Sequence, residues 1–468
     1  MTTTNEQAQV AELVARARSA QAIFDRYSQT EVDEVVTAVA WALINPDNNE
    51  RLARLAVEET GLGNVKDKVT KNHRKTLGLL RDLKNAKTVG IINEDPDNGL
   101  VEIGRPVGVV GVIVPSTNPI ATPMNNTLNA LKCRNAIILA PSPKGQPSCT
   151  RLLDLIYAEL DRVGAPRDLV QQLPTPVSKA LSMEMLKQVD LVVATGSQNN
   201  VRASYTSGTP AFGVGAGNVS VIVDETADLA SAAAKIKASK TFDNATSCSS
   251  ENSVIIVDAV YDAMLTEFAK VGAPMLDADE KQKLQDTMWQ HGHLNREVLA
   301  KPVSDVCSVV GLEREGLADS AFLLVSETGI GADAPFSGEK MSLVLTVYRA
   351  SDFEDAKRLA SNVLSYQGKG HSLGIHTSDP ERPQHLGQEM PVCRIIVNQP
   401  HCFATGGSFD NGMPFSLSMG CGTWGGNITD QNVHYKHYMN ITRVVRTIPP
   451  REVTVEDIFG DYQRKYLS

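Results

Sequence analysis

Cys248 lies in a polar stretch, residues 241–253, just ahead of the apolar run Val254–Val257. A thiol among small polar residues at the mouth of a strand is poorly placed for a core and well placed to present a nucleophile. It reacts only as the thiolate, and aligned backbone N–H groups there would lower its pKa. The commoner use of cysteine, as a small buried hydrophobe, is the competing reading. Asn118 sits between Pro115 and Pro119, which stiffen the loop after the strand Val107–Val114. A rigidly held amide can donate to a developing oxyanion, worth roughly 3–4 kcal/mol, or it can simply close its own turn. Glu339, between Gly338 and the strand Leu343–Val347, could grip ribose hydroxyls or be an ordinary surface carboxylate. His371, set among Gly368, Gly370 and Ser372, reads as a mobile imidazole able to serve as acid or base.

Two turns could meet a cofactor. The strand ending at Ala194 runs into Thr195, Gly196 and Ser197 and then a helix start, where N–H groups face phosphates. Gly213, Gly215 and Gly217 alternate and require close backbone approach, by another segment or by a ligand.

The elements that must position these residues are those of an α/β protein. Residues 1–85 read as helices that carry no chemistry. Thr30 is an N-cap, Asn45-Pro46-Asp47 is a break and Gly61 a stop. A hairpin follows, with strands at Val89–Ile92 and Leu100–Ile103 around an Asp-Pro-Asp-Asn-Gly turn. Strands at 107–114, 136–140, 169–173, 191–194 and 219–223 alternate with helices at 124–131 and 148–163. That alternation predicts a doubly wound parallel sheet, which binds ligands at the carboxyl ends of its strands. A second α/β region starts near 241, with strands at 254–257, 343–347, 373–375 and 394–397 and helices at 260–270 and 278–291. Dense glycines at 404–427 predict a loop lining a cleft, and 441–446 is a last strand.

Composition narrows the function. The chain has 468 residues, enough for two or three domains, and 42% hydrophobic content. Net charge of −9 disfavours nucleic acid, whose phosphates need clustered Lys and Arg. The first residues lack the basic and apolar regions of a signal peptide, and no apolar run is long enough to span a bilayer. The seven cysteines, 133, 149, 248, 307, 393, 402 and 421, contain no CxxC pair, so neither a disulfide framework nor a metal site with His434 and His437 is expected. A reducing cytoplasm fits best.

Five motifs in order tie these pieces together: 115–119, 213–218, 240–244 ahead of Cys248, 339–342 and 420–427. They resemble the aldehyde dehydrogenase superfamily over about 105–426, and more closely its CoA-acylating branch, including the aldehyde dehydrogenase half of aldehyde–alcohol dehydrogenases. The resemblance implies a Rossmann-type cofactor domain at 1–240 with an oligomerisation hairpin near 88–104. It implies an α/β catalytic domain at 241–430 and a C-terminal oligomerisation strand and tail at 431–468, in a homodimer or homotetramer. It implies Cys248 as nucleophile, Asn118 with the Cys248 N–H as oxyanion donors, and His371 beside the active site. Glu339 would hold the nicotinamide ribose of NAD or NADP, and Thr195, Gly196, Ser197, Gly215 and Pro115 would approach the cofactor.

The chain departs from hydrolytic members at Gly213, where they carry the glutamate that activates water. The acyl group on Cys248 then needs another acceptor, and CoA is the natural one. The lysine that often touches the adenosine ribose is absent at Ala140, and Lys144 is a nearby candidate for a 2′-phosphate. The small polar surroundings favour a short polar aldehyde. The whole chain is similar to acylating sulfoacetaldehyde dehydrogenases, which places sulfoacetaldehyde ahead of acetaldehyde or propanal. A sulfonate needs cationic or N–H donors, and Arg202, Lys436 and His437 are at hand in the sequence. A hydrolytic dehydrogenase, an acyl-phosphate reductase and a non-catalytic dinucleotide-binding protein are the competing functions.

Overall fold

A computed structural model describes residues 5–215 and 217–467. The first four residues and Ala216 of the glycine motif lie outside the described residues.

The chain opens with four helices, α1 (Asn5–Phe24), α2 (Gln29–Ile44), α3 (Pro46–Thr60) and α4 (Val65–Leu83). The cap of α2 is Ser28 rather than Thr30. Its hydroxyl accepts from Glu31 N while the Glu31 carboxylate accepts from the Ser28 N–H, a reciprocal box that Thr30 cannot form. Asn45 caps α3, with Pro46 in its first turn. Gly61, at φ 67°, ends it in the left-handed conformation that glycine adopts freely.

Three sheets of three or more strands follow. The hairpin β1 (Gly90–Asp95) and β2 (Leu100–Pro106) is joined at its other edge by the C-terminal strand β16 (Met439–Val445). The second sheet is parallel and contains β3 (Val109–Val114), β4 (Ala136–Pro141), β5 (Val170–Gln172), β6 (Leu191–Thr195) and β7 (Ala211–Val214). Its order, β5-β4-β3-β6-β7, reverses direction between β3 and β6. That switch point is where a doubly wound sheet opens a crevice at its carboxyl edge. Helices α5 (Ala121–Lys132), α6 (Gln146–Arg162), α7 (Lys179–Gln188) and α8 (Gln198–Tyr205) connect these strands.

The third sheet is also parallel. It holds β8 (Val219–Val223), β9 (Glu251–Val257), β12 (Leu323–Ser326), β13 (Val344–Ala350), β14 (Leu373–His376) and β15 (Ile395–Val397), ordered β12-β13-β9-β8-β14-β15. Helix α9 (Leu229–Thr241) links β8 to β9. The expected boundary at 241 therefore differs from the sheet assignment. β8 and α9 precede it, yet β8 pairs with β9 and β14. The reason is connectivity: a parallel pair needs a crossover, and α9 supplies it between β8 and β9.

Two strands of the large parallel sheets are not expected from sequence, β7 and β12. Each is only four residues long, and β7 contains Gly213, which weakens a strand signal. The helix expected over 278–291 stops at Met288, because the chain turns into a small hairpin of β10 (Trp289–Gln290) and β11 (His293–Leu294). His291 and Gly292 have φ of 52° and 77° at its tip. Of residues 404–427, Ala404 ends a short helix and Met419 bridges to Asn432; the rest is irregular apart from one short 3-10 turn, as their glycines predict. No helix among the described residues is long and apolar enough to cross a membrane.

Candidate active site

A cavity of about 900 Å³ lies between the second and third sheets. Its walls bring together most of the residues singled out in the sequence: Pro115, Asn118, Thr195, Gly196, Ser197, Gly215, Cys248 and Glu339 all line it. The carboxyl ends of β3 and β6 supply the first five, and Cys248 arrives on a turn just before β9.

That turn rests on an unusual backbone. Asp243, Asn244 and Ala245 have φ of 51°, 50° and 60°, three non-glycine residues in succession in the left-handed region. Each costs roughly 1–3 kcal/mol unless its surroundings enforce it. The enforcement is visible. The buried Asp243 carboxylate accepts from Lys71 Nζ at 2.5 Å, Lys68 Nζ at 3.1 Å, Thr246 Oγ1 at 2.7 Å and the Asn64 N–H at 3.0 Å. Burial is the largest single influence and pushes its pKa up, but the two ammonium groups and the hydrogen bonds from Lys71 and Thr246 together outweigh it and hold it below the usual carboxylate range. Asn244 Nδ2 donates to Ala300 O at 3.1 Å.

The same lysine orients Asn118. Lys71 Nζ donates to Asn118 Oδ1 at 3.0 Å, which leaves the Asn118 NH₂ with one long 3.5 Å contact to Thr117 Oγ1. A cation on the amide oxygen fixes which end of the side chain can donate to a ligand. Neither Lys68 nor Lys71 was anticipated, and the reading of residues 1–85 as scaffold without chemistry is corrected here. Helix α4 buries Lys68, Lys71 and Lys75 at helical spacing along one face, and Lys71, Arg74 and Lys75 reach the cavity. A basic stripe on the buried side of a helix was the available signal.

The thiol is half-buried, and burial pushes its pKa up to about 12. The neighbouring Glu339 and Cys421 push the same way, while Arg394 and its own N–H oppose. The expected lowering is therefore not met: desolvation and a facing carboxylate outweigh the local N–H dipole. Glu339 itself is pushed up to about 8 by desolvation, with Lys340 and Lys240 opposing. Its carboxylate has no partner among the described residues, and its N–H donates to Gln367 Oε1 at 3.0 Å. Lys340 Nζ ties the loop below it to Phe336 O at 2.6 Å and Gly338 O at 2.9 Å.

The three alternate glycines are used differently. A Cβ on Gly217 would stand 2.0 Å from Cys248 O, so the thiol turn lies directly on it. A Cβ on Gly213 would meet Val201 Cγ1 at 2.8 Å and Tyr205 Cε2 at 2.9 Å, so this position faces α8. A carboxylate there would point at α8, and the missing water base is better judged from the cavity wall itself. Glu339 is the one carboxylate among the described lining residues, which include no histidine.

His371 departs from its expected setting. It is 1% exposed rather than mobile and is absent from the described cavity wall. Its Nδ1 shares a 2.7 Å contact with Ser372 Oγ, which in turn meets His401 Nε2 at 2.8 Å. Its Nε2 has no partner, and burial lowers its pKa to about 3. The glycines flanking it serve packing: a Cβ on Gly370 would lie 2.0 Å from Cys421 O. The cations named for a sulfonate also lie elsewhere. Arg202 and Lys436 are exposed, and His437 packs edge-on against Phe212 with centroids 5.0 Å apart.

The cofactor side fits a dinucleotide. Gly196, at φ 146°, leaves open space at the switch point, where a Cβ would find nothing nearer than 3.8 Å. Ser197 caps α8, and Lys144 lines the cavity after β4. Among the described residues no group of three or more His, Cys, Asp or Glu is placed to hold a metal ion.

A dinucleotide crevice facing a loop-borne thiol and an amide donor across two parallel sheets defines a thiol-dependent dehydrogenase of aldehydes. The chain belongs to the aldehyde dehydrogenase family, whose profile matches residues 2–286. It is 57% identical to the acylating sulfoacetaldehyde dehydrogenase of Cupriavidus necator over 453 residues, 97% of this chain and 92% of that one. It is 38% identical to the acetylating succinate-semialdehyde dehydrogenase of Clostridium kluyveri, over 93% and 95% of the two chains. In three dimensions it is similar to an acetylating aldehyde dehydrogenase from Geobacillus thermoglucosidasius, with a TM-score of 0.92, 36% identity and coverage of 96% and 98%.

Proposed function

We propose that the protein is a CoA-acylating aldehyde dehydrogenase converting a short acidic aldehyde, sulfoacetaldehyde foremost, with CoA and NAD(P)+ into acyl-CoA, NAD(P)H and a proton. The observation that carries it is the single carboxylate on the described cavity wall. If Glu339 holds the ribose, no second carboxylate is left there to activate water, whereas a thiol is far more acidic than water and ionises with much less help. The similarity to acylating relatives supports the same choice, and two of them are named for aldehydes bearing an acidic group.

The roles follow from placement. The Cys248 thiolate forms the S–C bond with the carbonyl carbon, and the C=O pair moves to oxygen. Asn118 Nδ2, fixed by Lys71, and the Cys248 N–H donate to that oxygen. Pro115, Thr195, Gly196, Ser197, Gly215 and Glu339 would hold the dinucleotide, whose nicotinamide accepts the aldehyde hydrogen as hydride when bound. Cys248 then carries a thioester. Attack by the CoA thiolate expels Cys248 as thiolate, exchanging one thioester for another. Placement does not support His371 in the same way: the family resemblance assigns it to CoA deprotonation, but it is buried off the described cavity wall and its lowered pKa makes it a weak base.

The second sheet would form the cofactor domain and the third the catalytic domain. We assign oligomerisation to the β1-β2-β16 sheet and the tail. Strand β16 is largely exposed, and the helix Val455–Tyr466 exposes Ile458, Phe459, Tyr462 and Tyr466. Sedimentation should give a dimer or tetramer, and a monomer at micromolar concentration would refute this. Seven free cysteines agree with a reducing cytoplasm.

The test is NAD(P)H formation with short aldehydes, with and without CoA and with each cofactor. Product should be acyl-CoA and Cys248→Ala should abolish it. Free acid formed equally fast without CoA would refute the proposal.

A further inference from the structure

The cavity carries more positive charge than cofactor and thiol chemistry use: Lys144, Arg296 and Lys301 lie elsewhere on its wall, and Lys71, Arg74 and Lys75 share one face of α4. Lys71 is committed to Asp243, Asn118 and Thr246. Lys75 Nζ is committed to Gly406 O at 2.5 Å and Ser416 O at 3.4 Å, and burial pulls its pKa down to about 7, so its charge is partial near neutrality.

Arg74 is different. Its Nη2 donates to Ser408 Oγ at 2.6 Å, but its buried Nη1 has no hydrogen-bond partner. A guanidinium cannot shed its charge by deprotonation in the physiological range. An unpartnered buried donor on a charged group is expensive, and such a group calls for explanation. The ring centroids of Phe403, Phe415 and Phe409 stand 4.9, 5.8 and 5.9 Å from its central carbon. Phe415 is fully buried and Phe409 half exposed, so the rings shield the half-buried guanidinium on part of its surface and strengthen an ion pair formed there. Phe403 lines the same cavity as Arg74, Asn118 and Cys248. The Asp410 carboxylate, whose charge favours the Arg74 cation, accepts from Ser408 Oγ and so supports Arg74 through that hydroxyl.

We infer that Arg74, which lines the cavity with Asn118 and Cys248, is the specificity-determining anchor for the acidic head group of the aldehyde, its guanidinium donating to a sulfonate or carboxylate oxygen while the carbonyl lies at Cys248. The inference rests on the proposed function for the identity of the reaction, and on the cavity alone for the anion. Guanidinium suits this task because its planar donors match a flat or tetrahedral oxyanion at more than one point. Loss of a charge-assisted hydrogen bond costs roughly 10- to 100-fold in affinity.

The experiment compares wild type, Arg74→Ala and Arg74→Lys with sulfoacetaldehyde and with uncharged propanal, as the ratio of the two kcat/KM values. In parallel, unreactive ethanesulfonate is tested for protection of Cys248 from iodoacetamide. The expected result is a 10- to 100-fold fall in the ratio for Arg74→Ala, carried mainly by KM, with partial recovery in Arg74→Lys. Ethanesulfonate should protect wild type and fail to protect Arg74→Ala. A ratio within twofold of wild type, a parallel loss on both aldehydes, or equal protection of both proteins would overturn the inference. A failure of the acylating reading looks different: wild type would make no CoA-dependent NAD(P)H with either aldehyde, while Arg74-dependent protection by ethanesulfonate would still uphold the anion anchor.

Discussion

Replacing Gly217 with alanine tests how strictly the thiol must be placed. The added Cβ would lie 2.0 Å from Cys248 O, 2.9 Å from Cys248 C and 3.3 Å from Cys248 Cβ. An ordinary contact is about 3.5 Å, so the turn must retreat by about 1.5 Å or Gly217 must move away. Neither is free. Cys248 leads directly into β9, which is buried along its whole length, and Gly217 is two residues before β8, its partner in the sheet. Displacing a reacting atom by about 1 Å costs on the order of 100-fold in rate. The assay is kcat with saturating aldehyde, CoA and cofactor, alongside thermal melting. Gly387→Ala is the control, since a Cβ there meets nothing within 4 Å. We expect kcat to fall about 100-fold for Gly217→Ala and to hold for Gly387→Ala. A Gly217→Ala enzyme within threefold of wild type would show that the thiol tolerates the shift, and the reasoning from close contact would fail.

Other outcomes follow from the electrostatics. Ionised Glu339 raises the Cys248 pKa, so Glu339→Gln should move the midpoint of iodoacetamide alkylation to lower pH, though still above 9, because burial is the larger cause. A midpoint unchanged or moved upward would contradict that coupling. Asp243→Asn removes the acceptor of two buried lysines and should destabilise the fold by about 3–5 kcal/mol. It should also release the left-handed run at 243–245 and cut kcat. Denaturant unfolding and kcat that both match wild type would contradict the assigned part of this carboxylate.

Much of this was legible in the sequence, for a physical reason. Apolar runs such as Val109–Val114 and Leu191–Thr195 are buried on both faces, so they read as continuous strands. The loops after them were legible because proline and glycine restrict backbone in ways that single residues announce. What stayed hidden depends on tertiary pairing. Lys71 means nothing until Asp243, 172 positions away, is brought to 2.5 Å. The direction of the Cys248 pKa shift was misjudged because nearby N–H groups are local and visible, whereas desolvation and the approach of Glu339 are not. The glycines around His371 suggest mobility in the sequence, but in the fold Gly370 lets Cys421 and Gly368 lets Asn218 pack against the backbone. Position 213 could be compared with a family pattern, but only the fold shows that it faces α8.

The fate of the acyl group on Cys248 decides between the competing chemistries. Enzyme mixed with aldehyde and NAD(P)+ in the absence of CoA should give one burst of NAD(P)H per active subunit, and intact-mass spectrometry should find the acyl group on Cys248. Adding CoA should then return the protein to its original mass with release of acyl-CoA. Continuous NAD(P)H formation with free acid and no acylated Cys248 would contradict a thioester that waits for CoA.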